Sequence, residues 1–171
     1  MTELPINIEM LSGVCLYNGL DPEMLNSAAG YMETAHFKAG ETIFKEGDTG
    51  DEMLILASGK VEISQILVMR DEDEDFSEKD KTLIVLDADT LPVFGEMALL
   101  ESSPRTATVK ALSDCLTWKI LRDRFAEFCR KHPAGGVIAM KNLAALISTR
   151  LRKANKDVLK LTTALSIVLK R

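Results

Sequence analysis

Two neighbouring segments of this chain combine residue types that bind phosphate. Residues 94–100 contain Gly95 followed by Glu96, and Arg105 comes shortly after them. Glycine lets the backbone approach a ligand closely, and the N–H groups of a short helical turn after it would point at an anion. Arginine offers paired donors that match phosphate oxygens, and the β-favouring residues 106–109 would hold it in a strand. The spacing predicts a pocket for a small, singly charged phosphate, with Glu96 free to accept hydrogen bonds from sugar hydroxyls.

Catalytic and metal-binding chemistries find no support in the sequence. It contains no nucleophile paired with a histidine, no Walker-type glycine loop and no cluster of metal ligands at a recognisable spacing. Ser102 and Ser103 fit loop-capping hydroxyls better than nucleophiles, and His36 and His132 fit a strand residue and a helix end. We therefore predict no catalytic residue, no metal site and no cofactor, and we do not expect an enzyme.

The residues around the predicted pocket resemble those of a known family. Residues 94–109 resemble the phosphate-binding cassette of cyclic nucleotide-binding domains, the family of the catabolite activator protein, the regulatory subunits of protein kinase A and cyclic-nucleotide-gated channels. The glycine-punctuated segments 37–48 and 55–61 are similar to strands of that family, and the resemblance extends over residues 20–131. At residues 90–93 the family usually has a Gly-Asp pair that is missing here, so we expect the strand entering the cassette to bend differently.

The resemblance implies roles for individual residues. Arg105 would hold the cyclic phosphate, Glu96 would hold the ribose 2′-hydroxyl, and the backbone N–H groups of residues 96–98 would complete the anion site. Thr106 would contact either the phosphate or a guanine base, so it admits both cAMP and cGMP, of which we favour cAMP. The predicted ligand-binding residues are Phe94, Gly95, Glu96, Met97, Ala98, Arg105 and Thr106.

The rest of the chain predicts the elements that position this pocket. The first 30 residues predict two short helices, with Asp21 as the cap and Pro22 in the first turn of the second helix. From residue 31 to about residue 120, short apolar segments separated by Gly and Asp turns predict many short strands. We expect a mainly β fold with flanking helices: a double-stranded β-helix (jelly-roll) barrel with N-terminal helices and a long C-terminal helix.

Length and composition fit one domain with a helical extension. With 171 residues, 46% of them hydrophobic, the chain is long enough for one sizeable core. We assign residues 1–136 to the cyclic nucleotide-binding barrel with its N-terminal helices and a helix at residues 122–131. Residues 137–171 would form the C-terminal helix, which serves as lid and dimerisation element. The Gly135-Gly136 pair would act as a hinge between the two parts.

The C-terminal helix carries a regular apolar stripe. Apolar residues recur at steps of three and four, which predicts one stripe along a helix of about 30 residues and about 45 Å. They are Met140, Leu143, Ile147, Leu151, Ala154, Val158, Leu161, Leu165 and Val168. The stripe favours a homodimer seam with left-handed coiled-coil packing, and the alternative is a helix whose tail packs back on the barrel. The family resemblance implies that this helix dimerises and also closes over the base, with residues 152–156 as the lid.

Charge is distributed unevenly along the chain. The net charge is −5, but residues 137–171 contain eight basic residues and one acidic residue, about +7, which leaves about −12 for the first 136 residues. The net charge argues against non-specific nucleic-acid binding. No helix-turn-helix pattern follows the C-terminal helix, so we do not expect a DNA-reading activator. Seven of the twelve residues 70–81 are acidic, which predicts a solvated loop or hairpin tip, or alternatively a partner-docking or cation site.

The sequence also bears on where the protein resides. It has no secretory segment and no apolar run long enough to span a membrane. The three cysteines, Cys15, Cys115 and Cys129, show neither paired nor metal-binding spacing. We therefore expect reduced, buried thiols and a cytoplasmic protein that does not bind membranes.

Two functional hypotheses remain from the sequence. The first is a regulatory sensor that binds a cyclic nucleotide and passes a conformational change through its C-terminal helix to a protein partner of unknown identity. The second is a degenerate cyclic nucleotide-binding fold that acts as a nucleotide-independent interaction module, through residues 70–81 or the basic C-terminal helix. The presence of both Glu96 and Arg105 favours the sensor. Nucleic-acid binding by the basic helix fits its charge but lacks aromatic residues for stacking.

Overall fold

The computed structural model describes residues 6–70 and 76–169. Within these residues, four α-helices and three short 3₁₀ turns flank the strands. The helices are α1 (Ile8–Ser12), α2 (Pro22–Ala29), α3 (Arg122–Lys131) and α4 (Pro133–Leu169), and the 3₁₀ turns are Cys15–Tyr17, Ala88–Thr90 and Glu96–Leu99. Asp21 caps α2 by accepting a 2.8 Å hydrogen bond from the backbone N–H of Met24, and Pro22 is in its first turn. The two predicted N-terminal helices are therefore confirmed.

In the described part of the chain, eight strands form two four-stranded antiparallel sheets. They are β1 (Glu33–Phe37), β2 (Thr42–Phe44), β3 (Glu52–Ser58), β4 (Lys60–Arg70), β5 (Phe76–Asp87), β6 (Val93–Phe94), β7 (Thr108–Ala111) and β8 (Cys115–Leu121). One sheet has the order β1-β8-β3-β6 and the other β2-β7-β4-β5. This arrangement, with its flanking helices, confirms the predicted jelly-roll fold.

The central strand β3 is buried on both faces and separates two apolar clusters. Leu54 and Leu56 pack between the two sheets, whereas Met53 and Ile55 pack against the helices. Successive side chains of a strand point to opposite faces, so one apolar strand serves both clusters. Because β6 pairs with β3, with Leu54 opposite Phe94, the segment that follows Phe94 starts from a fixed position in the core.

The hairpin of β4 and β5 is longer than predicted. The two strands pair up to Arg70 and Phe76, with one register shift between Ile63 and Ser64. The prediction of a loop or hairpin tip over residues 70–81 was therefore wrong for Arg70, which lies in β4, and for residues 76–81, which lie in β5. Pairing with a neighbouring strand outweighs an unfavourable composition, because strand formation depends strongly on tertiary context. The remaining part of that prediction, residues 71–75, lies outside the described residues.

The last helix begins earlier than the sequence suggested. Helix α4 starts at Pro133, and Gly135 and Gly136 are buried in its first turn. The prediction of a hinge at this pair was wrong. An added Cβ would lie 2.6 Å from the Met24 sulfur at Gly135 and 2.8 Å from the Cys129 Cα at Gly136. The two glycines therefore allow α4 to pack closely on α2 and α3.

Helix α4 has a packed half and an exposed half. Ala139 and Leu143 are fully buried in the core. Beyond residue 150 the large apolar residues of the predicted stripe are exposed instead, each by 57–67%: Leu151, Val158, Leu161, Leu165 and Val168. The alternative in which the tail packs back on the barrel was therefore wrong. The helix has 37 residues, which corresponds to about 55 Å at the standard rise.

The cysteines differ in exposure although all three are free. Cys115 is buried, Cys129 is half-buried and Cys15 is exposed. The prediction of buried thiols was therefore wrong for Cys15, which lies in a 3₁₀ turn at the surface. Within the described residues, no helix has both the length and the apolar character needed to cross a membrane.

Candidate functional site

The segment after β6 adopts the predicted helical turn. Gly95 has φ of 72°, in the left-handed region, and residues Glu96–Leu99 form a 3₁₀ turn directly after it. The Ala98 N–H donates to Gly95 O at 3.2 Å. The amides of Glu96 and Met97 belong to the first turn, where backbone N–H groups have no acceptor within the helix. An anion at this point would meet those two amides.

Arg105 is held by a loop and not by a strand. Its backbone N–H donates to Asp48 O, and its carbonyl accepts from the Gly47 N–H, both at 2.8 Å. The preceding Pro104 pairs with Thr49 in an isolated bridge. Strand β7 begins only at residue 108, so the prediction that a strand starting at residue 106 holds Arg105 was wrong. Backbone pairing with the loop at residues 47–49 holds Arg105 in position instead.

The guanidinium of Arg105 is buried among acceptors and an aromatic ring. The residue is 6% exposed. Its Nη1 donates to Glu52 O at 2.9 Å and to Gly95 O at 3.3 Å. The Cζ atom lies 4.2 Å from the centroid of the Phe44 ring, a cation–π contact. Its Nη2 lies 2.8 Å from Glu52 Oε1 in an ion pair.

Two donor atoms of this guanidinium remain unsatisfied. Among residues 6–70 and 76–169, neither Nε nor Nη2 of Arg105 has an acceptor in hydrogen-bond geometry. The contact with Glu52 is close but not aligned as a hydrogen bond. A buried donor without an acceptor costs about 1–3 kcal/mol, and more when it is charged. An oxyanion in the adjacent cavity would accept from both atoms in the paired manner that suits arginine.

Two glycines make room for this side chain. A Cβ on Gly50 would lie 2.4 Å from Arg105 Nη2, and a Cβ on Gly95 would lie 2.7 Å from Nη1. Real Cβ atoms do not come so close to other heavy atoms, so either substitution would displace the guanidinium. The sequence indicated Gly95 alone, and for close approach to a ligand and not for room beside Arg105.

Glu96 is buried and paired with the last helix. It is 5% exposed, and its Oε2 accepts a short hydrogen bond from Nη1 of Arg150 in α4. Nη2 of the same arginine donates to Val93 O. The expectation that Glu96 has no protein partner was therefore wrong, while its hydrogen bond with a sugar hydroxyl stays a prediction. A carboxylate has about four lone-pair positions, so Glu96 retains acceptor capacity for a hydroxyl.

These groups surround one cavity of about 200 Å³. All seven residues predicted to bind the ligand line it: Phe94, Gly95, Glu96, Met97, Ala98, Arg105 and Thr106. The carbonyl of Thr106 accepts a 2.7 Å hydrogen bond from Gln65 Nε2, and the residue is exposed. Further apolar walls come from the sheet β2-β7-β4-β5, through Phe44, Ile63, Leu83 and Val109.

The sequence prediction missed several of these neighbours. Phe44 and Leu83 line the cavity from strands that lie far apart in sequence, and Glu52 contacts Arg105 from the start of β3. Arg150 is contributed by α4, whereas the predicted lid was residues 152–156. Nothing in the spacing singles out Arg150 among the basic residues of this helix. Its role depends on the rotation of α4 against β6, which is set by packing.

The family is established by comparison with known proteins. The family model "Cyclic nucleotide-binding domain" matches residues 34–132. The chain is 30% identical over 148 residues to the cyclic AMP receptor protein of Thermus thermophilus, which covers 86% of this chain. It is also 30% identical over 112 residues to human cGMP-dependent protein kinase 2, which covers 66% of this chain. The chain belongs to the cyclic nucleotide-binding domain family.

Solved structures agree in fold. The crystal structure of the Thermus thermophilus catabolite activator protein superposes with a TM-score of 0.74 at 30% identity, over 86% of this chain and 63% of that one. The regulatory domain of Toxoplasma gondii protein kinase A, co-crystallised with cAMP, gives 0.59 at 30% identity, over 71% of this chain and 42% of that one. The chain spans 62% of the Thermus sequence and 13% of the human one.

Proposed function

We propose that this chain binds a 3′,5′-cyclic nucleotide in the cavity beside Arg105. The observation that carries the proposal is the pair of buried donors, Nε and Nη2, that lack aligned acceptors within the described residues. Two oxygens of a cyclic phosphate would satisfy both, and the first-turn amides of Glu96 and Met97 would add dipolar stabilisation. The proposed site comprises the seven residues predicted from sequence.

In the proposed complex, Glu96 accepts a hydrogen bond from the ribose 2′-hydroxyl. Its oxygens lie beside the cavity and the Arg150 ion pair fixes its orientation. The hydroxyl of Thr106 is exposed at the cavity and is available to the phosphate or to a guanine base. We propose cAMP in preference to cGMP, because the Thermus relative and the Toxoplasma structure are both named for cAMP. The human relative is named for cGMP, so direct measurement must compare the two.

The proposed role is regulatory and non-catalytic. Arg150 joins α4 to the cassette through both Glu96 and Val93 O. A ligand that contacts Glu96 would change this connection, and a ligand can shift the helix only by as much as it prefers one position of α4. A conformational change caused by nucleotide binding would therefore pass from the site to α4. The sensor would act in the cytoplasm, where its free thiols stay reduced.

We propose that α4 also forms a homodimer. Its apolar stripe follows two series with seven-residue spacing: Leu151, Val158 and Leu165 in one, and the half-buried Ile147 with the exposed Ala154, Leu161 and Val168 in the other. This is the pattern of the core positions in a two-stranded coiled coil. A single helical tail of about 20 residues is only marginally stable in water without packing. A second copy of α4 would cover the stripe.

One observation favours the alternative, a module that binds no nucleotide and works through protein contacts. Arg150 already neutralises Glu96, so a ribose hydroxyl would have to share this carboxylate. The alternative does not account for the unsatisfied donors of Arg105. Titration of the chain with cyclic nucleotides distinguishes the sensor from the interaction module.

The test is calorimetric titration of the purified chain with cAMP, cGMP and 5′-AMP. We expect binding of a cyclic nucleotide, strongest for cAMP, and a loss of about 2–5 kcal/mol in Arg105→Ala, because the anion loses its charged partner. Arg105→Lys keeps the charge but loses the paired donors, and covers the case in which the alanine variant does not fold. The matched control is Arg124→Ala, since Arg124 also lies over an aromatic ring, that of Tyr31, and pairs with a glutamate.

Each outcome decides between the two functions. Binding that is weakened in the Arg105 variants and unchanged in the control supports the sensor. No heat and no thermal stabilisation with any nucleotide would favour the interaction module. Equal affinity for 5′-AMP would contradict recognition of the cyclic ester.

A further inference from the structure

The carboxylate of Glu52 shares a nitrogen with the proposed ligand. Its Oε1 lies 2.8 Å from Arg105 Nη2, one of the two buried donors assigned to the phosphate in the proposed complex. Its Oε2 accepts from the Asp51 N–H at 3.3 Å, and its backbone carbonyl accepts from Arg105 Nη1 at 2.9 Å. The Glu52 side chain is 26% exposed, so water screens it only in part. The Glu52 carboxylate is thus held at one side of the guanidinium by the Asp51 N–H.

This position places a fixed negative charge beside any bound phosphate. An oxyanion that accepts from Nη2 shares this nitrogen with Glu52. Two acceptors that each lie about 3 Å from one nitrogen are at most about 6 Å apart. Repulsion between like charges is proportional to the charge of the ligand and is weakly screened at such a distance. A phosphate group with two negative charges therefore meets about twice the repulsion of a group with one.

The other charges of the site do not compensate for a second ligand charge. Within the described residues, the charged groups that line the cavity or contact Arg105 are two guanidinium groups, of Arg105 and Arg150, and two carboxylates, of Glu52 and Glu96. Their formal charges cancel. A site without surplus positive charge stabilises a monoanion through aligned donors but offers little to a dianion.

We propose that Glu52 is a specificity-determining residue that restricts the site to phosphate groups with a single negative charge. Such a site selects phosphodiesters, including the cyclic esters, and rejects monoesters such as 5′-nucleotides, which carry nearly two charges above their second pKa of about 6. The inference rests on the proposed function and adds the means by which the site rejects the hydrolysed, open form of its own ligand. A substitution that removes the charge of Glu52 but keeps the length of its side chain therefore tests this role.

The test compares selectivity in Glu52→Gln and the wild-type chain. Glutamine has the same length and can keep an oxygen beside Nη2, but it carries no charge. Dissociation constants for cAMP and 5′-AMP are measured by calorimetry at about pH 8 and low ionic strength, where the monoester is a dianion. We expect the ratio of the 5′-AMP constant to the cAMP constant to fall about tenfold or more. Glu52→Met, also of similar length, should lower the ratio in the same direction and serves if the amide variant is unstable.

The matched control is Glu33→Gln. Glu33 forms an ion pair with Lys119 at 3.2 Å on the surface of the barrel, so this change also removes one negative charge and one ion pair. The ratio should stay within about twofold of wild type, because the site is remote and screened.

The outcomes separate this inference from the proposed function. If the wild-type chain binds no cyclic nucleotide, both are overturned. If it binds cAMP but the ratio is unchanged in both Glu52 variants, Glu52 does not determine selectivity and only this inference is lost. If the Glu52 variants bind cAMP and 5′-AMP more tightly by the same factor, Glu52 only competes with the ligand for Arg105, and this inference is lost. If the ratio falls as much in Glu33→Gln as in Glu52→Gln, selectivity arises from the overall charge of the protein and not from Glu52.

Discussion

The Arg150–Glu96 ion pair should couple the last helix to the cassette by a measurable free energy. The perturbation is Arg150→Met, which preserves side-chain length and helix propensity but removes the guanidinium. The Glu96 side chain is 7% exposed and that of Arg150 is 42% exposed. Loss of the arginine would leave a buried carboxylate without its charged partner.

The exposures set the expected magnitude. Breaking a fully buried pair costs about 3–5 kcal/mol, whereas an exposed pair contributes less than about 1 kcal/mol. Since one partner is buried and the other is nearly half exposed, we expect Arg150→Met to lower the free energy of unfolding by about 1–3 kcal/mol. In a double-mutant cycle with Glu96→Gln, the coupling energy should be about 1–2 kcal/mol.

The assay is urea unfolding followed by the fluorescence of Trp118, the single tryptophan, which is 2% exposed in the core. Protein concentration is held constant, because self-association would add to the apparent stability. Arg152→Met is the control: it removes an arginine two residues further along α4 whose guanidinium donates to Thr149 Oγ1 at 3.0 Å. If the losses of unfolding free energy in the two single variants sum to the loss in the double variant within about 0.3–0.5 kcal/mol, the ion pair does not couple α4 to the cassette.

The remaining predictions concern Gly50, which lies against the Arg105 guanidinium, and the exposed apolar stripe of α4. Gly50→Ala should weaken cAMP binding at least tenfold in calorimetry, because the new Cβ would lie 2.4 Å from Arg105 Nη2; an unchanged dissociation constant would show that the guanidinium can move without loss. Leu161→Glu should convert a dimer into a monomer in sedimentation velocity, whereas Thr163→Glu, on the opposite face of the helix, should leave the dimer intact. A chain shortened to residues 1–152 keeps Arg150 and the buried part of α4 and should be a folded monomer, and a dimer in that form would place the interface elsewhere.

Local preferences accounted for most of the elements and for the centre of the site. Gly95 and the turn after it lie where the residue types predicted, because a left-handed glycine and a short helical turn are determined within a few residues. The same holds for the capped helix at Asp21 and for the apolar stripe of α4, whose spacing is a property of the helix itself. The family resemblance at residues 94–109 identified the seven cavity residues without the fold.

Contacts between distant segments were decided only by the tertiary structure. Glu52 in β3 and Arg150 in α4 each lie more than 40 residues from the cassette in sequence, yet they contact Arg105 and Glu96 within it. No local pattern distinguishes these two residues from other charged residues. The Gly135-Gly136 pair is read as flexible from its composition, yet packing against α2 and α3 keeps it helical. The residue types at positions 95–105 therefore specify an anion site, while the charge balance around it and its link to α4 arise from packing, because side chains that meet through the fold carry no signature in their own sequence neighbourhood.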